Sequence, residues 1–307
     1  MSDQTRMPDA VQSPQAITFD TVMPATMALR AEQSGVVRAS TDLLTVFVLA
    51  VLAGAFISFG AIFATTVSAG SIAVTAGDGS VSLSANLPYG IVRLLSGLVF
   101  SLGLLLVVIG GAELFTGNNM IVMAWANRKV TSGALLMNWF VAFTGNFIGA
   151  IATAALMFCT TQYTFGGGAV GLAALTTANA KAGLAFVPAL TLGIMCNALV
   201  CLTVWMCYGA RTTIDRVVTI VPPIAAFVAA GFEHSIANIY FIPLGLFIKA
   251  GASDSFWNSI GKTAMDFQAL TWENFLIGNL IPVTIGNIIG GSVMVAAVYW
   301  FVYLRRR

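Results

Sequence analysis

The chain has 307 residues, 58% of them hydrophobic and only 8% charged, with a net charge of +2. Soluble domains carry about 25% charged residues, so a water-facing surface is missing and the long apolar runs belong in a bilayer, where a spanning helix takes roughly 20 residues. The small net charge, with no basic run interleaved with aromatics, excludes a nucleic-acid partner.

Cys159, Cys196, Cys201 and Cys207 all fall in apolar runs without a CxxC pair. They read as buried thiols, not disulfides or metal ligands. Neither a metal site nor a cofactor is expected.

Residues 1–40 read as a cytoplasm-type tail, polar to about Asp20 and carrying Pro8 and Pro14. No basic region followed by an apolar stretch marks a cleavable signal, so insertion is expected to rest on the first apolar run. Within the tail, Thr26 to Ala39 lacks proline and reads either as a helix weakened by Gly35 or as a mobile leader. Asp42 caps the first apolar run, about 43–69, and a Gly-, Ser- and Ala-rich loop leads to Pro88.

The second run, about 89–127, is too long and too interrupted for one helix. It reads as a half-helix to about Ala112, a break through Asn119 and a short second helix to Asn127. The third span is about 133–160, followed by loop 161–182 with Lys181 and a fourth span of about 184–208. The fifth, about 217–250, is again broken. Loop 251–270 leads to a sixth span, about 273–303, that stops at Arg305-Arg306-Arg307.

The expected fold is therefore an all-α integral membrane protein with six spans. A tail at 1–40 precedes a transmembrane domain at 41–304. Arg6, Arg30, Arg38, Arg128, Lys129, Arg211, Arg216 and the terminal arginines fall on one side of it, which puts both termini in the cytoplasm.

Two motifs recur. Gly111-Ala112-Glu113-Leu114-Phe115-Thr116-Gly117-Asn118 and Gly231-Phe232-Glu233-His234-Ser235-Ile236-Ala237-Asn238 share G-x-E-x4-N and interrupt the second and fifth spans. Asn138-x6-Gly145-Asn146-Phe147-Ile148-Gly149 and Asn279-x6-Gly286-Asn287-Ile288-Ile289-Gly290 share N-x6-G-N in the third and sixth.

Repeat one (about 41–162) and repeat two (about 183–304) thus hold three helices each. An odd number forces opposite topologies, and an inverted repeat with a broken helix in each half is the architecture of a transport pathway. Gly149 and Gly290 read as close-packing positions.

Helices break at membrane depth only where protein or a water-filled cavity satisfies the freed backbone. Glu113 and Glu233, with Asn118 and Asn238, read as supports of the two breaks. Each carboxylate is expected to accept backbone N–H bonds, since a fixed anion in the pore would repel an anionic solute. His234, the sole histidine, can donate, accept and carry a proton near neutral pH. Thr116 offers a hydroxyl in the other break. Asn197 is either a hydrogen-bond partner of His234 or a helix–helix contact. Phe100, Leu104, Leu114 and Phe227 are candidates for narrow points.

These motifs, with Asn197-x3-Cys201-Leu202-x2-Trp205-Met206 and Ile281-Pro282-Val283-Thr284-Ile285-Gly286-Asn287-Ile288-Ile289-Gly290-Gly291, resemble the formate/nitrite transporter family over about 35–305, most closely its formate-channel branch. The resemblance implies an aquaporin-like protomer in a homopentamer of the bacterial inner membrane, with one pore per protomer. By position it makes His234 the central pore histidine, Thr116 the hydroxyl of a mobile loop and Asn197 the histidine's partner. It pairs Leu104 with Phe100 and Leu114 with Phe227 as two apolar constrictions, and gives Lys181 the drawing-in of anions. Glu113 stands where some relatives carry Asp.

The function so implied is bidirectional passage of formate, a small weak-acid anion, with protons relayed at His234. Nitrite or hydrosulfide is the alternative within the family. A neutral-solute channel would need paired Asn-Pro-Ala boxes that the sequence lacks. No HExxH or GxSxG motif supports an enzyme.

Overall fold

The computed structural model describes residues 22–75 and 81–306. Most of the tail, with Arg6, Pro8 and Pro14, lies outside the described residues, as do Asp78 and Arg307.

The part of the tail that can be followed is a helix, Pro24–Ser40, with proline at its first position, where a missing N–H costs nothing. Span one, Leu43–Ser68, starts at Asp42, whose carboxylate accepts the Thr45 N–H at 2.9 Å. Beyond it the Gly/Ser/Ala-rich loop contains an antiparallel hairpin of Ser71–Thr75 and Val81–Asn86. The alternation of Val81, Leu83 and Ala85 with Ser82 and Ser84 carried that signal.

Span two runs as Tyr89–Gly110, breaks over 111–114 and resumes in the short turns Phe115–Asn118, Asn119–Ile121 and Val122–Ala126. The break is shorter than the sequence suggested, because helical turns restart at Phe115. Span three is Ser132–Cys159 and span four Phe186–Cys207. The intervening stretch is no plain loop, since Ala169–Ala182 is a helix that ends with Lys181 in its last turn.

Span five runs as Thr213–Ala230, breaks, and resumes as Ser235–Gly251. A short helix, Asp254–Ile260, follows at a bend of 112°. Span six, Asn274–Tyr303, includes two π-helical stretches, Asn274–Leu280 and Ile289–Ala297. Both breaks begin at a left-handed glycine, Gly111 at φ 77° and Gly231 at φ 79°, a conformation that costs a residue with a Cβ.

The packing repeats between halves. Span one lies against span three and the first half of span two; span four lies against span six and the first half of span five. The two first halves pack on each other, which joins the repeats. Gly149 and Gly290 make the close approaches possible, since a Cβ on either would meet the Val51 or Ile194 carbonyl oxygen. The fold is thus two inverted three-helix repeats, each with a broken second helix.

Candidate transport site

The site grows from the two breaks, which leave backbone groups unpaired in an apolar interior. The missing partners come from the N-x6-G-N asparagines. In the first half the Asn146 side-chain oxygen accepts the Phe115 N–H at 2.9 Å, and its nitrogen donates to the carbonyls of Ala50 at 2.7 Å and Glu113 at 2.9 Å. In the second half Asn287 accepts the Ser235 N–H at 2.9 Å and donates to Gly193 at 2.8 Å and Glu233 at 3.0 Å. Both asparagines are fully buried. Each therefore clamps a break to a neighbouring span with three bonds, the same three in both halves.

The carboxylates are held one step further out. Glu113 Oε2 accepts from Arg38 Nη1 and Asn118 Nδ2, both at 2.7 Å. Glu233 accepts from Lys181 Nζ and Asn238 Nδ2, also both at 2.7 Å. Asn138 and Asn279 close the two networks. They accept from Asn118 and Asn238 at 2.8 Å and donate to the Arg38 and Lys181 carbonyls at 3.1 and 2.9 Å.

This differs from the expectation that each carboxylate would accept backbone N–H groups. Those N–H groups are already used. Phe115 and Ser235 donate to the asparagines, while Glu113 and Glu233 donate theirs to the carbonyls of Leu49 and Leu192, both at 3.3 Å. A cation and an amide take their place at the carboxylates. Lys181 is therefore ion-paired with Glu233, and Arg38 on the N-terminal helix holds the equivalent place at Glu113.

Between the breaks, His234 Nε2 and Thr116 Oγ1 stand 3.1 Å apart, both buried. His234 also caps its own half-helix, because its Nδ1 accepts the Ala237 N–H at 3.1 Å. An accepting Nδ1 carries no proton, so in the neutral ring the proton sits on Nε2, facing Thr116. Asn197 is not the histidine's partner. Its nitrogen donates to the Asn287 carbonyl at 2.7 Å and the Thr116 carbonyl at 3.3 Å, so it ties the two breaks together. The partner of His234 is Thr116 itself.

Two cavities flank this pair. One, of about 460 Å³, is lined by Phe100, Lys181, Phe227, Glu233 and His234, with Arg93 and Asn238 also on its wall. Arg93 donates to the Val228 and Ala229 carbonyls at the end of the first half of span five. The other cavity, of about 200 Å³, is lined by Arg38, Leu104, Leu114, Gly117, Tyr208 and Arg216.

The four apolar candidates regroup accordingly. Phe100 and Phe227 form an edge-to-face pair, ring centroids 5.6 Å apart, at the larger cavity, and Leu104 and Leu114 share the smaller one. The pairing of Leu104 with Phe100 and Leu114 with Phe227 does not describe them. Asn146, Asn287, Asn138, Asn279, Arg38 and Arg93 were not anticipated as site residues. The N-x6-G-N repeat was the signal for the asparagines.

Inverted repeats, a broken helix in each and buried polar groups between two cavities define a membrane transport protein rather than an enzyme. The formate/nitrite transporter family pattern matches residues 25–301. The chain is 43% identical to the formate channel FocA of Escherichia coli strain K12, over 94% of this chain and 96% of that one. Its fold is similar to a solved pentameric formate channel with formate bound, with TM-score 0.77 and 41% identity over 86% of this chain and 98% of that one. A second solved structure, an FNT family ion channel, matches at TM-score 0.69 and 25% identity over 90% of this chain and 98% of that one. The chain belongs to the formate/nitrite transporter family.

Proposed function

We propose that this chain forms a homopentameric channel for formate in the bacterial inner membrane, with both termini in the cytoplasm and a proton exchanged with the permeant anion at His234. The observation that carries the reading is the Thr116–His234 contact at 3.1 Å between two cavities. The likeness to formate channels and to a formate-bound pentamer supports the substrate and the assembly. The orientation rests on the cations of one face. Arg38 and Arg216 line the same cavity, and Lys129 pairs at 2.6 Å with Glu32 of the N-terminal helix.

The physical problem is moving a charge past apolar walls. A bare carboxylate in a low-dielectric slot costs many kcal/mol, whereas the neutral acid crosses far more easily. Phe100 with Phe227 and Leu104 with Leu114 supply the slots. An anion arriving beside Thr116 accepts a hydrogen bond from its hydroxyl and then the proton of His234 Nε2. Nδ1 first takes up a proton from water reaching the larger cavity and releases the Ala237 N–H, and the imidazolium then gives its Nε2 proton to the anion and returns to the neutral ring. The anion becomes the neutral acid, and one proton travels with each formate. Asn197 fixes the segment that carries Thr116, and Glu113, Glu233, Asn118 and Asn238 support the breaks, the two carboxylates being offset by Arg38 and Lys181.

The test is flux into liposomes carrying the purified protein. Formate entry well above that of empty liposomes is expected. Nitrite or hydrosulfide entry without formate entry would keep the family and overturn the substrate.

A further inference from the structure

Four cations line the two cavities, and three are engaged. Lys181 is bonded to Glu233, Arg93 to the Val228 and Ala229 carbonyls, and Arg38 to Glu113 and Asn118 through one terminal nitrogen. Arg216 differs: among the described residues its guanidinium has no partner. The neighbouring Asp215 does not hold it, since its Oδ2 accepts the N–H groups of Arg211 and Thr212 at 2.9 and 3.0 Å in a capping box. Arg216 lines the smaller cavity together with Arg38, Tyr208, Val107, Val108 and Gly111.

Its place mirrors that of Arg93. Arg93 lies near the start of one first half-helix and caps the end of the other. Arg216 lies in the first turns of the second half-helix and faces the end of the first, at Val107 and Gly111, without bonding there. One member of the pair is thus spent on the scaffold and the other is open to the cavity.

We infer that Arg216, with the uncommitted edge of Arg38, forms a docking site for a monovalent carboxylate or similar small oxyanion in the cavity on the N-terminal face. Arginine suits the role because its planar fork meets a carboxylate with two parallel N–H···O bonds. The site is the anchorage for anions reaching the pore from that face. On the other face the corresponding arginine, Arg93, is bonded to the Val228 and Ala229 carbonyls. The inference rests on the proposed anion transport.

The experiment measures formate flux in vesicles of defined orientation, for wild type, Arg216→Gln and Arg216→Lys. With formate presented on the N-terminal face, Arg216→Gln is expected to raise the half-saturating concentration about five-fold, a loss typical of one charge-assisted contact near water. With formate on the other face, half-saturation should stay within about two-fold, and Arg216→Lys should recover only part of the loss, since it keeps the charge but not the planar fork. Flux at saturating formate should be retained. Unchanged half-saturation on the N-terminal face would overturn the site, and so would an equal rise on both faces. Loss of flux at every concentration would make Arg216 a scaffold residue and overturn it too. Absence of formate flux in wild type would instead overturn the transport reading itself.

Discussion

Asn287→Leu removes a side chain of similar size and all three of its bonds at once. The Ser235 N–H and the carbonyls of Gly193 and Glu233 lose their partner. Asn287 is fully buried, so water does not replace it. Each orphaned buried group costs roughly 1–3 kcal/mol, and three cost about 3–6 kcal/mol once partial relaxation is allowed. Asn146→Leu should cost a similar amount, because the same three bonds recur there. Thermal unfolding of the purified protein in detergent measures the loss, and a fall of about 5 °C or more is expected for either variant. Formate flux should fall as well, since Ser235 follows His234 directly. A midpoint and a flux unchanged from wild type in either variant would refute the clamp.

Two further outcomes follow from the same geometry. Glu233→Gln leaves the Lys181 ammonium, 16% exposed, without its counter-charge. Breaking such a pair should cost about 1–3 kcal/mol, less than a fully buried one because water reaches the lysine; thermal unfolding checks it, and Glu233→Gln with Lys181→Met should recover part of the loss. Gly290→Ala pushes a Cβ into the Ile194 carbonyl and to 3.0 Å from the Ala198 nitrogen. Backbone cannot yield as a side chain would, so about 1–3 kcal/mol of overpacking is expected in the same assay.

The outline of the fold was legible because membrane spans announce themselves by length and apolarity, and because the two pairs of motifs repeat. The breaks were legible from Gly111 and Gly231 beside a charged residue. What filled them was harder to read. Asn146 and Asn287 lie in other helices, 31 and 52 residues from the N–H groups they satisfy, and separation in sequence hides such partners. The ion pair of Lys181 was hidden because its helix, Ala169–Ala182, was read as loop; the helix carries it to Glu233. Arg38 was counted only as one charge of the positive side, yet the N-terminal helix brings it to Glu113. Asn197 was rightly marked as an isolated polar residue in span four, but its bonds run to backbone carbonyls and not to His234.

The most direct test concerns the proton at His234, and the variant must spare its capping role. His234→Asn keeps a side-chain oxygen able to accept the Ala237 N–H, since asparagine is among the best capping residues, but removes the ring nitrogen that would pass the proton. Formate accumulation is measured in liposomes that are more alkaline inside than outside. Wild type should accumulate formate on the alkaline side, and more steeply as the imposed gradient grows; the folded variant should not. Equal gradient-driven accumulation by His234→Asn would contradict proton exchange at the histidine.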